Sequence, residues 1–253
     1  MDRKFVTRMF APFTLDKIPE WACPTCEKGI LTIKKESFFK DEPVDSRDHS
    51  DKEWSPEYIR YVYSCLLYCS NPNCHEVVTC TGSGNVRCDY NEENKQLEYC
   101  EEFCVKFFEP PLRIISIPKN CPEEVKSPLI ESFRQIFSSP NASANSVRIA
   151  LDNLLTDLGI IRYSNNNLNG KKNPINLHDR IDKIPIEYSG IKDIILAVKW
   201  IGNAGSHSIV NISTSDVLDA YLMLEHLLHE IYGTEKEDVK KIAKEINENE
   251  GPR

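Results

Sequence analysis

The sequence predicts an α+β protein in which a β-rich N-terminal half precedes an all-α C-terminal half. Up to residue 118, short β-branched and aromatic runs alternate with turn residues and cysteines, a pattern typical of strands joined by tight turns. From residue 119 onward, apolar residues recur instead at helical spacing. Prolines at 110, 111 and 118 mark the junction. We therefore expect a β domain at 1–118, a helical domain at 119–233 and a charged tail at 234–253.

The composition limits the classes of function. The chain has 253 residues, 40% of them hydrophobic, and a net charge of −8 that is shared between its two halves. Because nonspecific nucleic-acid binding rests on cationic contacts to phosphate, this acidic balance disfavours a broad nucleic-acid surface but permits a local one. No early apolar run is long enough for a signal peptide or a membrane span, so we expect a cytoplasmic protein with no membrane partner.

In the N-terminal half the sequence predicts a short strand at 30–33 and a longer strand at 58–68. It also predicts a hairpin over 76–90 that turns at Gly82-Ser83-Gly84-Asn85, and further strands over 97–117. No helix is expected after these glycines, which favours a plain turn over a phosphate-binding loop. The charged residues 40–57 lack periodicity and predict an exposed insertion.

Two pairs of cysteines provide the strongest chemical signal. Ten cysteines in a chain with no secretion signal indicate metal ligands and free thiols rather than disulfides. Each pair lies where a predicted strand meets turn-forming residues, so all four thiolates can face one ion. The pattern predicts a zinc-ribbon-like site that binds about one structural Zn²⁺ per chain at about 2.3 Å. Its ligands are Cys23, Cys26, Cys69 and Cys74.

Other interpretations of the cysteines remain open at this point. The four residues could be free buried thiols, and Cys65 or His75 could replace one ligand. A redox role for the first pair would need a βαβ context, which the sequence does not predict. Cys100 and Cys104 could form another site at helical spacing or could be packed thiols.

Five helices are predicted in the C-terminal half. The first begins at Pro122, the second ends at Gly159, the third is short and covers 177–184, and the last runs from a cap at Ser213 to Gly233. The fourth helix, 190–201, is very apolar. We expect it to stop at Gly202-Asn203, with Asn203 as a left-handed cap. Such a stop would place the polar groups of 199–207 at a fixed position against the core.

These helical motifs resemble domain-of-unknown-function family 4145, a relative of the HEPN (higher eukaryotes and prokaryotes nucleotide-binding) helical domains. The resemblance covers about the C-terminal half. It rests on Pro122-Glu123-Glu124-Val125, on the run 146–155, on Ile201-Gly202-Asn203-Ala204-Gly205-Ser206-His207 and on the closing helix 228–232. The N-terminal cysteine region is similar to the zinc-binding front end of many such proteins. The resemblance implies a HEPN-like bundle and a prokaryotic context of restriction or antiviral defence.

Catalytic HEPN relatives are metal-independent ribonucleases with an Arg four to six residues before a His, a polar residue just after the Arg, and two facing protomers. Here Asn203 and His207 fit the polar and His positions, but no Arg stands at the expected spacing. Lys199 is the nearest cation along the chain, and Arg148 could supply a charge from a neighbouring helix. Lysine lacks the planar fork that suits phosphate.

Three hypotheses follow. The first is a non-catalytic adaptor or sensor that contains zinc, binds a partner protein or nucleic acid, and dimerises through its helical half. The second is a ribonuclease with a composite dimer site that uses His207, Asn203 and a cation from Lys199 or Arg148. The third is a nucleotide-binding effector in which the Gly202–His207 turn holds a phosphate.

Overall fold

The computed structural model describes residues 3–50, 52–92, 95–164, 173–206, 211–234 and 243–248. It shows an α+β architecture in which a curled antiparallel sheet is followed by helices, as predicted. The strands are β1 (Leu31–Ile33), β2 (Phe39–Asp41), β3 (Arg60–Cys69), β4 (Val77–Asn91), β5 (Gln96–Glu109), β6 (Tyr163–Ser164) and β7 (Asn173–Pro174). The helices are α1 (Arg3–Arg8), α2 (Glu123–Gln135), α3 (Pro140–Asp157), α4 (Leu177–Ile181), α5 (Lys192–Ser206) and α6 (Thr214–Tyr232).

The main sheet has the order β1-β3-β4-β5, with β2 on the same edge of β3 as β1. All of its strand pairs are antiparallel. Strand β2 overlaps the predicted insertion 40–57, which is mostly exposed but is not structureless. The buried Ser46 anchors that segment, because its hydroxyl accepts a hydrogen bond from the backbone N–H of Arg60 at 2.8 Å.

The predicted turn at Gly82-Ser83-Gly84-Asn85 is wrong, because all four residues lie inside β4. The ladder between β4 and β5 passes over them with one irregularity, between Thr81 and Gly82. A Cβ at Gly82 would lie 2.0 Å from the Cys104 carbonyl oxygen, and one at Gly84 would lie 2.6 Å from the Phe103 ring. These glycines therefore allow a close approach between strands rather than a reversal of the chain.

Three helices begin at a side-chain cap, of which the sequence predicted the one at Ser213. Ser139 caps α3, Asn176 caps α4, and Ser213 forms a capping box with Asp216 at the start of α6. Pro122 is the cap of α2 rather than a residue of its first turn. Gly159 follows α3 with a φ of +81°, a conformation that glycine adopts without strain.

The end of α5 differs from the prediction. The helix does not stop at Gly202-Asn203 but continues to Ser206, so Asn203 is an interior helical residue. A Cβ at Gly202 would lie 2.7 Å from the Arg148 Cβ, and one at Gly205 would lie 2.7 Å from the Asn141 carbonyl oxygen. Both glycines thus let α5 pack closely against α3.

A hydrophobic core joins the sheet to the helices. Trp21 is fully buried beside Phe13 and Phe108, and its indole N–H donates to the Met9 carbonyl at 3.0 Å. Phe137, just after the end of α2, packs on Phe10 and on Phe108, with ring centroids 4.5 Å and 5.0 Å apart. None of the helices in the described ranges combines the length and apolar composition that a membrane span requires.

Candidate functional site

The four predicted zinc ligands come together at one end of the sheet. The sulfurs of Cys23, Cys26, Cys69 and Cys74 all lie within 4.8 Å of one another. The Cys23–Cys74 and Cys26–Cys69 sulfur pairs are 3.8 Å and 3.6 Å apart. A disulfide bond would place two sulfurs about 2 Å apart. Four sulfurs at about 2.3 Å from a central zinc ion would instead be separated by about 3.8 Å.

Two similar turns present these thiols. One follows the buried Trp21 and carries Cys23 and Cys26; the other joins β3 to β4 and carries Cys69 and Cys74. In each turn the residue after the second cysteine is left-handed, with φ of 54° at Glu27 and 55° at His75. This repeated backbone shape turns two thiols in each loop toward a common centre.

Gly29 fixes how closely the two turns approach. A Cβ at this position would lie 2.4 Å from the Cys69 sulfur and 2.9 Å from the Asn71 nitrogen. The turns are also tied by backbone hydrogen bonds, since the N–H of Ser70 donates to the Ile30 carbonyl at 2.9 Å. The first turn can therefore contact the second only with glycine at position 29.

Backbone donors surround the sulfurs. The N–H of Gly29 donates to the Cys26 sulfur, and the N–H of Asn71 donates to the Cys69 sulfur, each at 3.4 Å. Backbone hydrogen bonds from Lys28 and Gly29 lower the pKa of the Cys26 thiol to about 6, whereas burial raises the pKa of Cys69 to about 12. A cation that replaces the protons would stabilise all four sulfurs.

The donor set fits zinc. Soft thiolates in a tetrahedral arrangement suit Zn²⁺, and four protein ligands leave no coordination position open for a substrate. Bound there, the ion would crosslink the β3–β4 turn to the segment before β1. The arrangement is compatible with a structural zinc site.

The other cysteines lie outside this cluster. Cys65 and Cys80 are buried partners on β3 and β4, so Cys65 does not replace a ligand. His75 lies in the second turn but is likewise not part of the cluster. Cys100 and Cys104 lie on strand β5, so the helical spacing considered for them is wrong.

In the helical half, two of the four candidate site residues meet. The Nε of Arg148 on α3 donates to the Oδ1 of Asn203 on α5 at 2.8 Å. A cation from the neighbouring helix thus contacts Asn203. Both side chains are half-buried, and they span the close contact that Gly202 allows.

Lys199 belongs to a different cluster. Its residue is 5% exposed, its Nζ lies 3.2 Å from the Nδ1 of His178 on α4, and it lies 3.7 Å from the ring centroid of the exposed Trp200. Asp182 lies near Lys199, His178 and Lys192, and its hydrogen bond to Lys192 is the main cause of its lowered pKa. His207, the fourth candidate, lies outside the described residues.

Sequence reasoning missed a buried arginine. Arg180 on α4 is 1% exposed and donates to the carbonyls of Asp152 and Ile160, to Thr156 Oγ1 and to the Asp152 carboxylate. It therefore ties α4 to the C-terminal end of α3, where the helix dipole favours a cation. Its position beside Leu177 and Ile181 gives no signal of this contact in the sequence.

Family comparisons divide the chain in the same way as its secondary structure. Residues 11–110 match a family described as Domain of unknown function (DUF8608), and residues 131–249 match Domain of unknown function (DUF4145). The second match confirms the resemblance to family 4145. No curated protein and no solved structure matches the chain. The two matches thus fall on separate parts of the chain, one over the sheet and one over most of the helices.

Proposed function

We propose that the protein is a non-catalytic, zinc-containing adaptor or sensor of prokaryotic defence or restriction systems, which binds a partner protein through a HEPN-like helical half. The observation that carries this proposal is the closed set of four converging thiols. A four-thiolate site stabilises a fold and leaves no open position for catalysis.

The polar groups of the helical half support the same proposal. Arg148 is paired with Asn203, and Lys199 with His178, so these candidate groups stabilise contacts between helices. Trp200 is 59% exposed beside this cluster, and an exposed aromatic side chain is a common anchor at a protein interface.

A partner-binding experiment tests the proposal. The tagged chain is used to isolate partners, and each identified partner is then purified and its affinity measured by calorimetry. We expect Trp200→Ala to weaken that affinity about tenfold or more, because truncating an aromatic anchor removes about 2 kcal/mol. Tyr163→Ala on β6, which is 50% exposed, is the control. Binding only to nucleic acid, or no reconstituted binding, would contradict the proposal.

The Arg148–Asn203 contact favours a second candidate, a metal-independent HEPN-type ribonuclease. An Arg and a polar residue now lie together, as in the catalytic motif, although the Arg comes from α3. A guanidinium could stabilise the charge that develops on a phosphate during cleavage, and His207 would supply the acid or base.

RNA cleavage by the zinc-loaded protein separates the two candidates. The ribonuclease requires cleavage that His207→Ala and Arg148→Ala each abolish and that Arg148→Lys reduces. The adaptor requires that the wild type cleave no more RNA than the His207→Ala, Arg148→Ala double variant does. A control substitution at the exposed Lys244 should change neither result.

A further inference from the structure

The β4–β5 hairpin extends beyond the rest of the sheet. Pairing between β3 and β4 ends at Arg60 and Asn85, whereas β4 and β5 remain paired as far as Asn91 and Gln96. Residues 86–91 and 96–101 therefore form a two-stranded arm. An isolated two-stranded hairpin buries little apolar surface and has marginal stability in water. A further strand would therefore stabilise an arm of this length.

The outer edge of β5 carries backbone groups that point away from β4. Phe103 shows the direction, because its N–H and C=O both bond to Phe13, at 2.8 Å and 2.9 Å. By the alternation of an antiparallel ladder, the backbone groups of Leu97, Tyr99 and Glu101 point the same way. Within the described ranges, Phe13 is the one backbone partner found on this edge of β5.

The two faces of the arm differ in chemistry. Tyr90, Leu97 and Tyr99 lie on the same face and are 60%, 61% and 50% exposed. The opposite face carries Glu98 and Glu102 on β5, and Arg87 and Asp89 on β4. The two strands thus contribute three carboxylates and one guanidinium to this face, and Arg87 is paired with both Asp89 and Glu102.

Edge strands in proteins are usually protected from pairing by lysine, proline or a bulge. Residues 96–102 (Gln-Leu-Glu-Tyr-Cys-Glu-Glu) contain neither lysine nor proline, and the ladder irregularity lies elsewhere, at Gly82. Their acidic side chains would, however, repel the same edge of a second copy. The edge is therefore chemically open to a basic strand and protected against self-association.

We propose that this edge binds an extended segment of a partner protein, in which apolar residues alternate with Lys or Arg. The segment would add a strand to β5. Its apolar side chains would lie beside Leu97 and Tyr99, and its basic side chains beside Glu98 and Glu102. The site lies on the sheet and is independent of the helical surface proposed above, so either can fail without the other.

A labelled eight-residue peptide of alternating Val and Lys serves as the probe, with the full-length zinc-loaded protein and fluorescence anisotropy as the readout. We expect saturable binding that weakens as salt is added, and weaker binding of a matched Val/Glu peptide. Tyr99→Pro should weaken binding about tenfold, since it removes an outward N–H that the β4 ladder does not use. Tyr99→Ala separates the loss of the ring from the loss of the N–H.

Two further measurements complete the test. The exposed Val44→Ala is the control variant, and unchanged thermal unfolding shows that Tyr99→Pro still folds. The double variant Glu98→Lys, Glu102→Lys should reverse the preference toward the Val/Glu peptide. Absent binding, equal binding of both peptides or no effect of Tyr99→Pro would overturn the proposal. A dimer that Tyr99→Pro dissociates would also overturn it, because the occupant would then be a second copy.

Discussion

The thiols of the sheet face one another, whereas the candidate polar groups of the helical half face partners of complementary chemistry. Four sulfurs converge around a common centre, and the nearest pairs are 3.6 Å and 3.8 Å apart. On the helices, a guanidinium faces an amide and an ammonium faces an imidazole. Like groups that converge are compatible with a shared metal ion, whereas complementary groups that meet satisfy each other.

The largest expected effect follows from replacing one converging thiol. Cys69→Ser should reduce zinc from about one ion per chain to nearly none, because thiolates supply the binding energy of such sites, about 10–16 kcal/mol in zinc-finger peptides. The melting temperature should fall, and a chelator should lower the melting temperature of the wild type but not of the variant. Elemental analysis and calorimetry measure both effects.

Cys88→Ser is the matched control, since Cys88 is half-buried on β4 and lies outside the cluster. It should keep its zinc. Equal zinc contents in Cys69→Ser and wild type would show that the convergence of the thiols does not indicate a ligand.

A smaller effect is expected from crowding the helix contact that brings Arg148 to Asn203. Gly202→Ala would place a Cβ 2.7 Å from that of Arg148, so we expect a loss of about 1–3 kcal/mol in the free energy of unfolding. Gly190→Ala meets nothing within 4 Å and should change stability by about 0.5 kcal/mol or less. Urea denaturation distinguishes them, and equal stabilities would mean that α3 and α5 can move apart freely.

Tyr221→Phe tests a polar group in the core that is already satisfied. The buried phenol is bonded to Ser132 Oγ at 2.7 Å and Ser143 Oγ at 2.9 Å. These serines also bond to each other, so removing the hydroxyl should cost only about 1 kcal/mol. Tyr58→Phe, at an exposed position, should cost close to zero. A loss of several kcal/mol would instead point to a disrupted network.

The smallest effect is expected from the Arg148–Asn203 pair itself. A double-mutant cycle with Arg148→Ala and Asn203→Ala should give a coupling of roughly 0.5–1.5 kcal/mol in unfolding free energy, as for one hydrogen bond. A coupling near zero would leave the guanidinium without a structural role. That result would favour the ribonuclease hypothesis over the adaptor.

The sequence was most informative where a local pattern determines the structure. The two cysteine pairs could be assigned to one centre because turns that present two thiols have a recognisable composition. The start of α6 was predicted because its cap, Ser213, bonds to a residue only three positions ahead. The α+β order followed from the change in hydrophobic period near residue 119.

The errors share a cause. Gly82 and Gly202 were interpreted as breaks, but each is required by a neighbour far along the chain, the carbonyl of Cys104 and the side chain of Arg148. A glycine that ends an element and a glycine that admits a neighbour look the same in sequence. The contacts of Arg180 at the end of α3 were missed for a similar reason, because its acceptors lie 20 to 28 residues away.

The ring of Phe137 has a consequence for how the chain unfolds. It lies between Phe10 from the N-terminal segment and Phe108 from β5, and the Glu225 carboxylate on α6 accepts the backbone N–H of Ser116 at 2.8 Å. Cutting the chain near residue 119 would expose aromatic surface on both fragments. We therefore expect the sheet and the helices to melt in one cooperative transition. A metal ion bound at the four cysteines, more than a hundred residues before α6 in the sequence, should then slow amide exchange in α6.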